Sequence, residues 1–118
     1  MTFRTKTKQL REAREQIHIT EKEFSEQVED LLNLRGWRWC HFRPARTQSG
    51  WRTALSGTIG FPDYIAAKDG ALIFFELKSE KGKVTPAQRE WLEDLKACSQ
   101  RIYLWRPSDW DEIMEVAK

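Results

Sequence analysis

Apolar residues recur along the chain with two periods, one typical of helices and one typical of strands. Between Thr20 and Gly36 the spacing is helical, at Phe24, Val28, Leu31 and Leu32. Thr20 has the form of an N-cap and Gly36 is placed to end the helix, so we predict a helix over about residues 20–34. Residues 1–18 carry few large apolar side chains and are predicted to form a basic N-terminal arm.

Four strands and two further helices follow from the remaining pattern. Residues 37–43 begin with alternation of period two and predict a strand, whereas residues 44–60 show no clear period and predict a loop. The strand-like runs 62–67 and 71–79 flank a Lys-Asp-Gly turn and predict a hairpin. A helix opening at Thr85-Pro86, a strand over 101–105 and a final helix capped by Ser108 complete the order α-β-β-β-α-β-α. This order predicts an α/β fold with a central mixed sheet flanked by helices.

Length and composition fit one ordinary globular domain, which we place at residues 19–118. The chain has 118 residues, of which 40% are hydrophobic and 32% charged. The longest apolar run, near residues 71–75, is too short to span a membrane, and no apolar segment follows the basic N-terminus as in a secretory signal. We therefore expect an intracellular protein without a membrane partner. Cys40 and Cys98 lie outside any zinc-binding spacing and are expected to be free, at least half-buried thiols.

The distribution of charge says more than the net charge of +2. No acidic residue lies between Asp30 and Asp63, whereas this interval holds five arginines. A block of one sign raises the local potential and attracts phosphate groups. Such blocks also occur on ordinary surfaces, so the interval leaves nucleic-acid binding and a solvated basic face both open.

Chemistry concentrates around the predicted hairpin. Glu76 and Lys78 point to the same face of one strand, together with Phe74, and Asp63 begins the partner strand. Two neighbouring carboxylates repel unless a cation lies between them, and hard oxygen ligands favour Mg²⁺ or Mn²⁺. A lysine beside them would face the same phosphate and stabilise its charge. The alternative is a surface ladder of Glu and Lys on an antiparallel strand.

The motifs Gly60-Phe61-Pro62-Asp63, Glu76-Leu77-Lys78, Gly82 and Gln88 together resemble those of the PD-(D/E)xK nuclease superfamily. Within that superfamily, the chain is similar to the VRR-NUC group, whose small stand-alone members occur in phages and prophages. The similarity extends over roughly residues 20–106 and implies a restriction-endonuclease-like αβββαβ core.

The resemblance also implies roles for individual residues. Asp63 and Glu76 would bind the metal, with the backbone carbonyl of Leu77 as a further ligand. Lys78 would be the catalytic lysine, and Gln88 would support the site from the next helix. A glutamate of the first helix completes the family's pattern.

Glu21 is the first-helix glutamate that we expect at the site, ahead of Glu23 and Glu26. It precedes Phe24 by three residues and Val28 by seven, which predicts that it shares the inward face. A carboxylate in the first turn that complements the helix dipole is the alternative.

Nucleic-acid contacts are expected from two segments. His41 and Arg43, at the end of the first strand, are assigned to the substrate backbone, with purely structural roles as the alternative. In the following segment, Arg46 and Arg52 are expected to contact phosphates and Trp51 to stack on a base.

The function expected from the resemblance is a Mg²⁺- or Mn²⁺-dependent endonuclease acting on DNA. Selectivity for a Holliday junction or other branched DNA is expected, with a symmetric homodimer as a plausible assembly. Trp105 and Trp110 are candidates for its interface, but both also fit packing in the core, and packing is how we interpret them. The main alternative is a nucleic-acid-binding module with the same fold and little catalytic activity. An RNA-directed or restriction-type nuclease would use the same chemical groups on another substrate.

Overall fold

The computed structural model of the chain describes residues 8–10, 19–42, 45–48, 50–52 and 55–118, and for residues 45–47, 51 and 52 it describes the backbone alone. Residues 8–10 are helical, and the elements that follow are helix α1 (Glu21–Leu34), strands β1 (Arg38–His41), β2 (Ala45–Thr47), β3 (Gly50–Arg52), β4 (Tyr64–Lys68) and β5 (Ala71–Leu77), helix α2 (Pro86–Ala97), strand β6 (Arg101–Trp105), a 3-10 turn (Pro107–Asp109) and helix α3 (Trp110–Val116). Among the described residues, no helix is both long and apolar enough to cross a membrane.

Four strands form one mixed sheet in the order β1-β4-β5-β6. Strand β4 pairs antiparallel with both β1 and β5, and β6 pairs parallel with β5. The parallel pair needs a crossover connection, which α2 supplies. The chain is therefore an α/β fold with a mixed sheet, as the sequence predicts.

The two faces of this sheet have different environments. Alternation places Tyr64, Ala66, Ile73 and Phe75 on one face, called here the core face, where they join the buried residues of α1 and α3. Helix α1 begins at Thr20, whose hydroxyl accepts a hydrogen bond from the Glu23 amide at 3.1 Å, and its apolar stripe is buried as predicted.

The opposite face, called here the site face, carries Phe74 and Glu76 of β5 and the alternate residues of β6. Helix α2 lies against it, since Leu92 lines a cleft together with Ile102 and Leu104. All residues of α2 are described and none of them is fully buried, so this helix covers its side of the sheet only partly.

Two expectations about the fold are wrong. The predicted loop 44–60 contains a small hairpin in which β2 pairs with β3; its strands have three residues each, too few to generate a hydrophobic period. Cys40 and Cys98 are free but exposed, because Cys40 lies on the site face of an edge strand and Cys98 ends α2. Trp105, in contrast, is 1% exposed, which confirms its interpretation as a core residue.

Candidate active site

The strand register brings Asp63 and Glu76 together. Tyr64 pairs with Phe75, so continuing the antiparallel register by one residue places Asp63 opposite Glu76. The same step across the other neighbour places Phe42 opposite Asp63, and the Phe42 amide donates a hydrogen bond to the Asp63 carbonyl at 2.7 Å. Asp63 therefore lies immediately before β4 rather than within it, but its side chain occupies the predicted place beside Glu76.

A close approach of backbone to helix α2 fixes the segment that leads to Asp63. Gly60 has a φ of +99°, and a Cβ atom added there would lie 2.5 Å from the Ala87 carbonyl carbon. Only glycine fits this conformation and this contact. Pro62, two residues later, is fully buried, so packing holds the segment that leads into β4. The Gly60-Phe61-Pro62-Asp63 motif thus anchors the carboxylate to the start of α2.

Glu76 is a buried carboxyl group with an unusual environment. Its side chain is 1% exposed, and neither carboxyl oxygen has a well-formed hydrogen bond to any residue that the structure describes. Burial, and then the nearby Asp63 carboxylate, raise the pKa of Glu76 to about 8, against the opposing effect of the Lys78 ammonium. Burial also raises the pKa of Asp63, while the nearby His41 and Lys78 side chains oppose this rise.

Two adjacent carboxyl groups of this kind could hold a divalent cation. Without a cation, one of two adjacent carboxylates is driven towards its neutral form by desolvation and repulsion. A bound Mg²⁺ or Mn²⁺ would remove both penalties. Among the described residues, no cluster of three or more His, Cys, Asp or Glu side chains forms a metal site. The protein would therefore supply two carboxylates and leave the remaining positions to water, backbone carbonyl or phosphate oxygens, as Mg²⁺ commonly accepts.

Lys78 follows β5 on the side of Glu76 and is half-buried. Its charge influences the pKa of both carboxyl groups, which places its ammonium near the pair. The Lys78 amide donates to the Trp105 carbonyl at 3.0 Å and fixes the backbone at this point.

The loop after Lys78 is held by one arginine that the sequence did not single out. The Arg106 guanidinium donates to the carbonyl oxygens of Ser79, Glu80 and Gly82, at distances between 2.6 and 3.1 Å. The Glu80 carboxylate in turn accepts hydrogen bonds from the amide and hydroxyl of Ser108, both at 2.9 Å. Arg106 precedes a proline and has no sequence pattern that marks this function.

Gln88 lies at the start of α2 and its side chain is used there. The Gln88 side-chain oxygen accepts a hydrogen bond from the Thr85 backbone amide at 3.0 Å, and the Gln88 backbone amide donates to the Thr85 hydroxyl at 3.1 Å. This capping box holds the end of the helix against which Gly60 packs. Gln88 thus positions the start of α2. Any effect of Gln88 on the carboxyl pair would be indirect, through the position of this helix end.

The first-helix glutamates are arranged differently from the expectation. Glu21, Glu23 and Glu26 are all exposed, so the prediction that Glu21 shares the inward face is wrong. Glu29, two turns later, is the one that reaches the sheet.

Glu29 contacts the core-face residues of β1 and β4. It accepts a hydrogen bond from the Tyr64 hydroxyl and lies 3.4 Å from Nδ1 of His41. The His41 ring stacks on Tyr64 with centroids 4.0 Å apart. His41 is therefore packed in a polar cluster at the strand end, close enough to influence the pKa of Asp63. The signal that could have indicated Glu29 is its position beside buried Val28, which many helical glutamates share.

The other residues assigned to nucleic acid are described only in part. Arg43 lies outside the described residues. Arg46 pairs with Trp51, and Arg52 with Ala45, along the backbone of the β2–β3 hairpin, while their side chains lie outside the description. Their assignment to DNA contact stays a prediction.

Comparison with known proteins adds no assignment. No protein-family model matches the chain, and no curated protein has a significantly similar sequence.

Proposed function

We propose that this protein is a metal-dependent endonuclease that hydrolyses DNA phosphodiester bonds, with a restriction-endonuclease-like core of the PD-(D/E)xK type. The observation that carries the proposal is the adjacent pair of half-buried Asp63 and buried Glu76, whose pKa values are both raised and whose neighbour is Lys78. The resemblance to the VRR-NUC group supports it, because the same three residues carry that group's motif.

Asp63 and Glu76 would hold Mg²⁺ or Mn²⁺, with the Leu77 carbonyl as a further candidate ligand. When bound, such a cation polarises phosphate oxygens and acidifies water. The two carboxylates would also favour a cation over a bare phosphate, since their own charge repels an anion. Burial of Glu76 limits competing water and strengthens each electrostatic interaction in the site.

Lys78 would act on the phosphate itself. Its ammonium would donate hydrogen bonds to a non-bridging oxygen or to the attacking water, and would stabilise the negative charge that develops on the phosphate. Arg106 would keep the Lys78 backbone in place through the loop that follows it.

Branched DNA, such as a Holliday junction, is the proposed substrate class, and a symmetric homodimer would present two sites to it. With Trp105 in the core, Trp110 is the remaining interface candidate of the two, and it is half-buried against the core.

The test is cleavage of a panel of linear and branched DNAs with Mg²⁺ or Mn²⁺, using wild type, Lys78→Ala and the matched control Lys83→Ala. We expect metal-dependent cleavage that falls by roughly 100-fold or more in Lys78→Ala, in the range of lost general acid–base or electrostatic catalysis. Lys83 is exposed on the loop before α2 and its removal should change the rate little.

Two results would contradict the proposal. One is wild-type protein that binds DNA but cleaves no member of the panel with either metal, which would favour a binding module. The other is cleavage that persists undiminished in Lys78→Ala although the variant is folded, which would place the reaction elsewhere.

A further inference from the structure

One aromatic ring lies in the same cross-strand row as the two carboxyl groups. The register aligns Phe42, Asp63 and Glu76 on three neighbouring strands, and all three side chains belong to the site face. Side chains directly opposite each other on neighbouring strands have Cβ atoms about 5 Å apart. Phe42 is thus the immediate neighbour of Asp63, as their 2.7 Å backbone hydrogen bond requires.

The Phe42 ring is open to solvent although other rings support it. It is 43% exposed and is the only exposed aromatic ring among the side chains that the structure describes. Its inner side meets Phe61 edge-on, with centroids 6.0 Å apart. Phe61 is held by Phe74 and Trp91, at centroid distances of 5.9 and 5.2 Å. Phe42 is therefore the outer member of a four-ring cluster.

Exposure of one apolar side chain is ordinary on a protein surface and would carry no conclusion alone. The position of Phe42 is what distinguishes it, since its ring adjoins the place where a phosphate would meet Asp63 and Glu76. A ring there lies beside the nucleotide to which that phosphate belongs. Aromatic side chains next to a backbone-binding site commonly stack on bases of single strands.

We propose that an unpaired base of the DNA strand held at Asp63 and Glu76 stacks on Phe42. This proposal rests on the nuclease function proposed above. A paired base inside a duplex is already stacked on both faces and exposes only its edges in the grooves. Phenylalanine has no hydrogen-bonding group with which to read those edges. The ring thus favours DNA that is single-stranded next to the reacting phosphate, such as the unpaired segment of a branch. Stacking on it does not depend on which base is present, since every base has a flat aromatic face.

The test separates stacking from cleavage by measuring binding without chemistry. Lys78→Ala serves as the parent protein, and Mg²⁺ is present throughout. Its first ligand is a set of branched DNAs, each with 2-aminopurine at one position of a short single-stranded branch. Its second ligand is a blunt duplex of the same sequence. Stacking quenches this base's fluorescence. Phe42→Ala, Phe42→Leu and Phe42→Trp are made in this parent, with Leu72→Ala as the matched control.

Leu72 is a suitable control because it is 40% exposed and shares the site face of β5. It lies four residues, or about 13 Å, from Glu76 along the strand. Thermal unfolding of each variant shows whether it is folded, and Phe42→Leu keeps an apolar side chain should Phe42→Ala unfold.

We expect quenching at one or two branch positions in the parent and in Leu72→Ala. Phe42→Ala should weaken binding of the branched DNA by roughly 5- to 150-fold, the range for losing one stacked base, and binding of the blunt duplex less than twofold. Phe42→Leu should lose the quenching, and Phe42→Trp should retain it.

Stacking on Phe42 is refuted if folded Phe42→Ala and Phe42→Leu quench like their parent, or if they lose affinity for branched and blunt DNA equally. Wild-type cleavage measured in parallel keeps the two proposals apart. Cleavage without Phe42-dependent quenching leaves the nuclease and removes the stacking, whereas quenching without any cleavage removes the nuclease and leaves a base-binding surface.

Discussion

Replacing the buried carboxyl of Glu76 with an amide should stabilise the metal-free protein. Glutamine has nearly the same shape, but it cannot ionise in the unfolded chain. In wild type, burial and the Asp63 charge raise the pKa of Glu76 from 4.5 to about 8. The folded protein therefore keeps a proton at pH 7 that the unfolded chain releases, and the ionisation of the unfolded chain lowers the free energy of unfolding.

The size of this effect follows from the two pKa values. Between pH 4.5 and pH 7 the unfolded carboxyl gains about 1.4 kcal/mol per pH unit while the folded one stays largely neutral. The contribution of Glu76 to stability is thus complete below pH 4.5 and declines as the pH rises towards 8. The free energy of unfolding of Glu76→Gln should exceed that of wild type by about 1 kcal/mol at pH 5 and by about 3 kcal/mol at pH 7.

The assay is urea unfolding of wild type and Glu76→Gln at several values between pH 5 and pH 8.5, with EDTA present. A difference of 3 kcal/mol corresponds to a midpoint shift of roughly 1–3 M urea. The two curves should diverge with pH, because the titrating groups other than Glu76 and its neighbour Asp63 have the same surroundings in both proteins. Added Mg²⁺ should stabilise wild type, since ligands stabilise the state that binds them, and should have little effect on the variant.

Parallel stability curves across this pH range would refute the reasoning, because they would mean that Glu76 ionises in the folded protein as it does in the unfolded chain. A Mg²⁺ response that is equal in both proteins would place the metal away from this carboxyl.

Two further predictions concern the segments that position the site. Gly60→Ala should destabilise the fold by at least ~2 kcal/mol in urea unfolding, because alanine is strained at this φ and its Cβ would collide with α2. The control Gly57→Ala has a φ of +113° and open space around it, so it should show only the loss due to backbone strain. Equal losses in the two variants would mean that the contact with α2 relaxes. Arg106→Ala removes hydrogen bonds to three carbonyl groups and should cost about 2 kcal/mol, with a lower kcat as the loop after Lys78 loosens. Arg89→Ala, an exposed cation on α2, is its control, and an unchanged kcat would separate Arg106 from the site.

Much of the fold was predictable because its information is local. The stripe of α1, the Asp69-Gly70 turn and the capping box at Thr85 each depend on residues a few positions apart. The β4–β5 hairpin is local as well. Its turn sets the register, and the register places Asp63 beside Glu76.

What could not be predicted depends on contacts between distant segments. Glu29 rather than Glu21 reaches the sheet, since Glu29 contacts Tyr64 and His41 whereas Glu21 is exposed, and helical period alone does not distinguish the two. Phe42 adjoins Asp63 only through the pairing of β1 with β4, two strands separated by more than twenty residues. Arg106 binds a loop that precedes it by a whole helix.

Apart from the small β2–β3 hairpin, the sequence by itself determined the order of the elements. It also determined the shared face of Glu76 and Lys78 and the hairpin that joins them to Asp63, because periodicity, caps and turns act over a few residues. Only the tertiary structure decided that Glu76 is buried, that its pKa rises to about 8, and that an exposed ring stands beside the carboxyl pair. The physical reason is that desolvation and charge repulsion depend on which groups surround an atom in space. Those surroundings come from strands and helices that are remote along the chain.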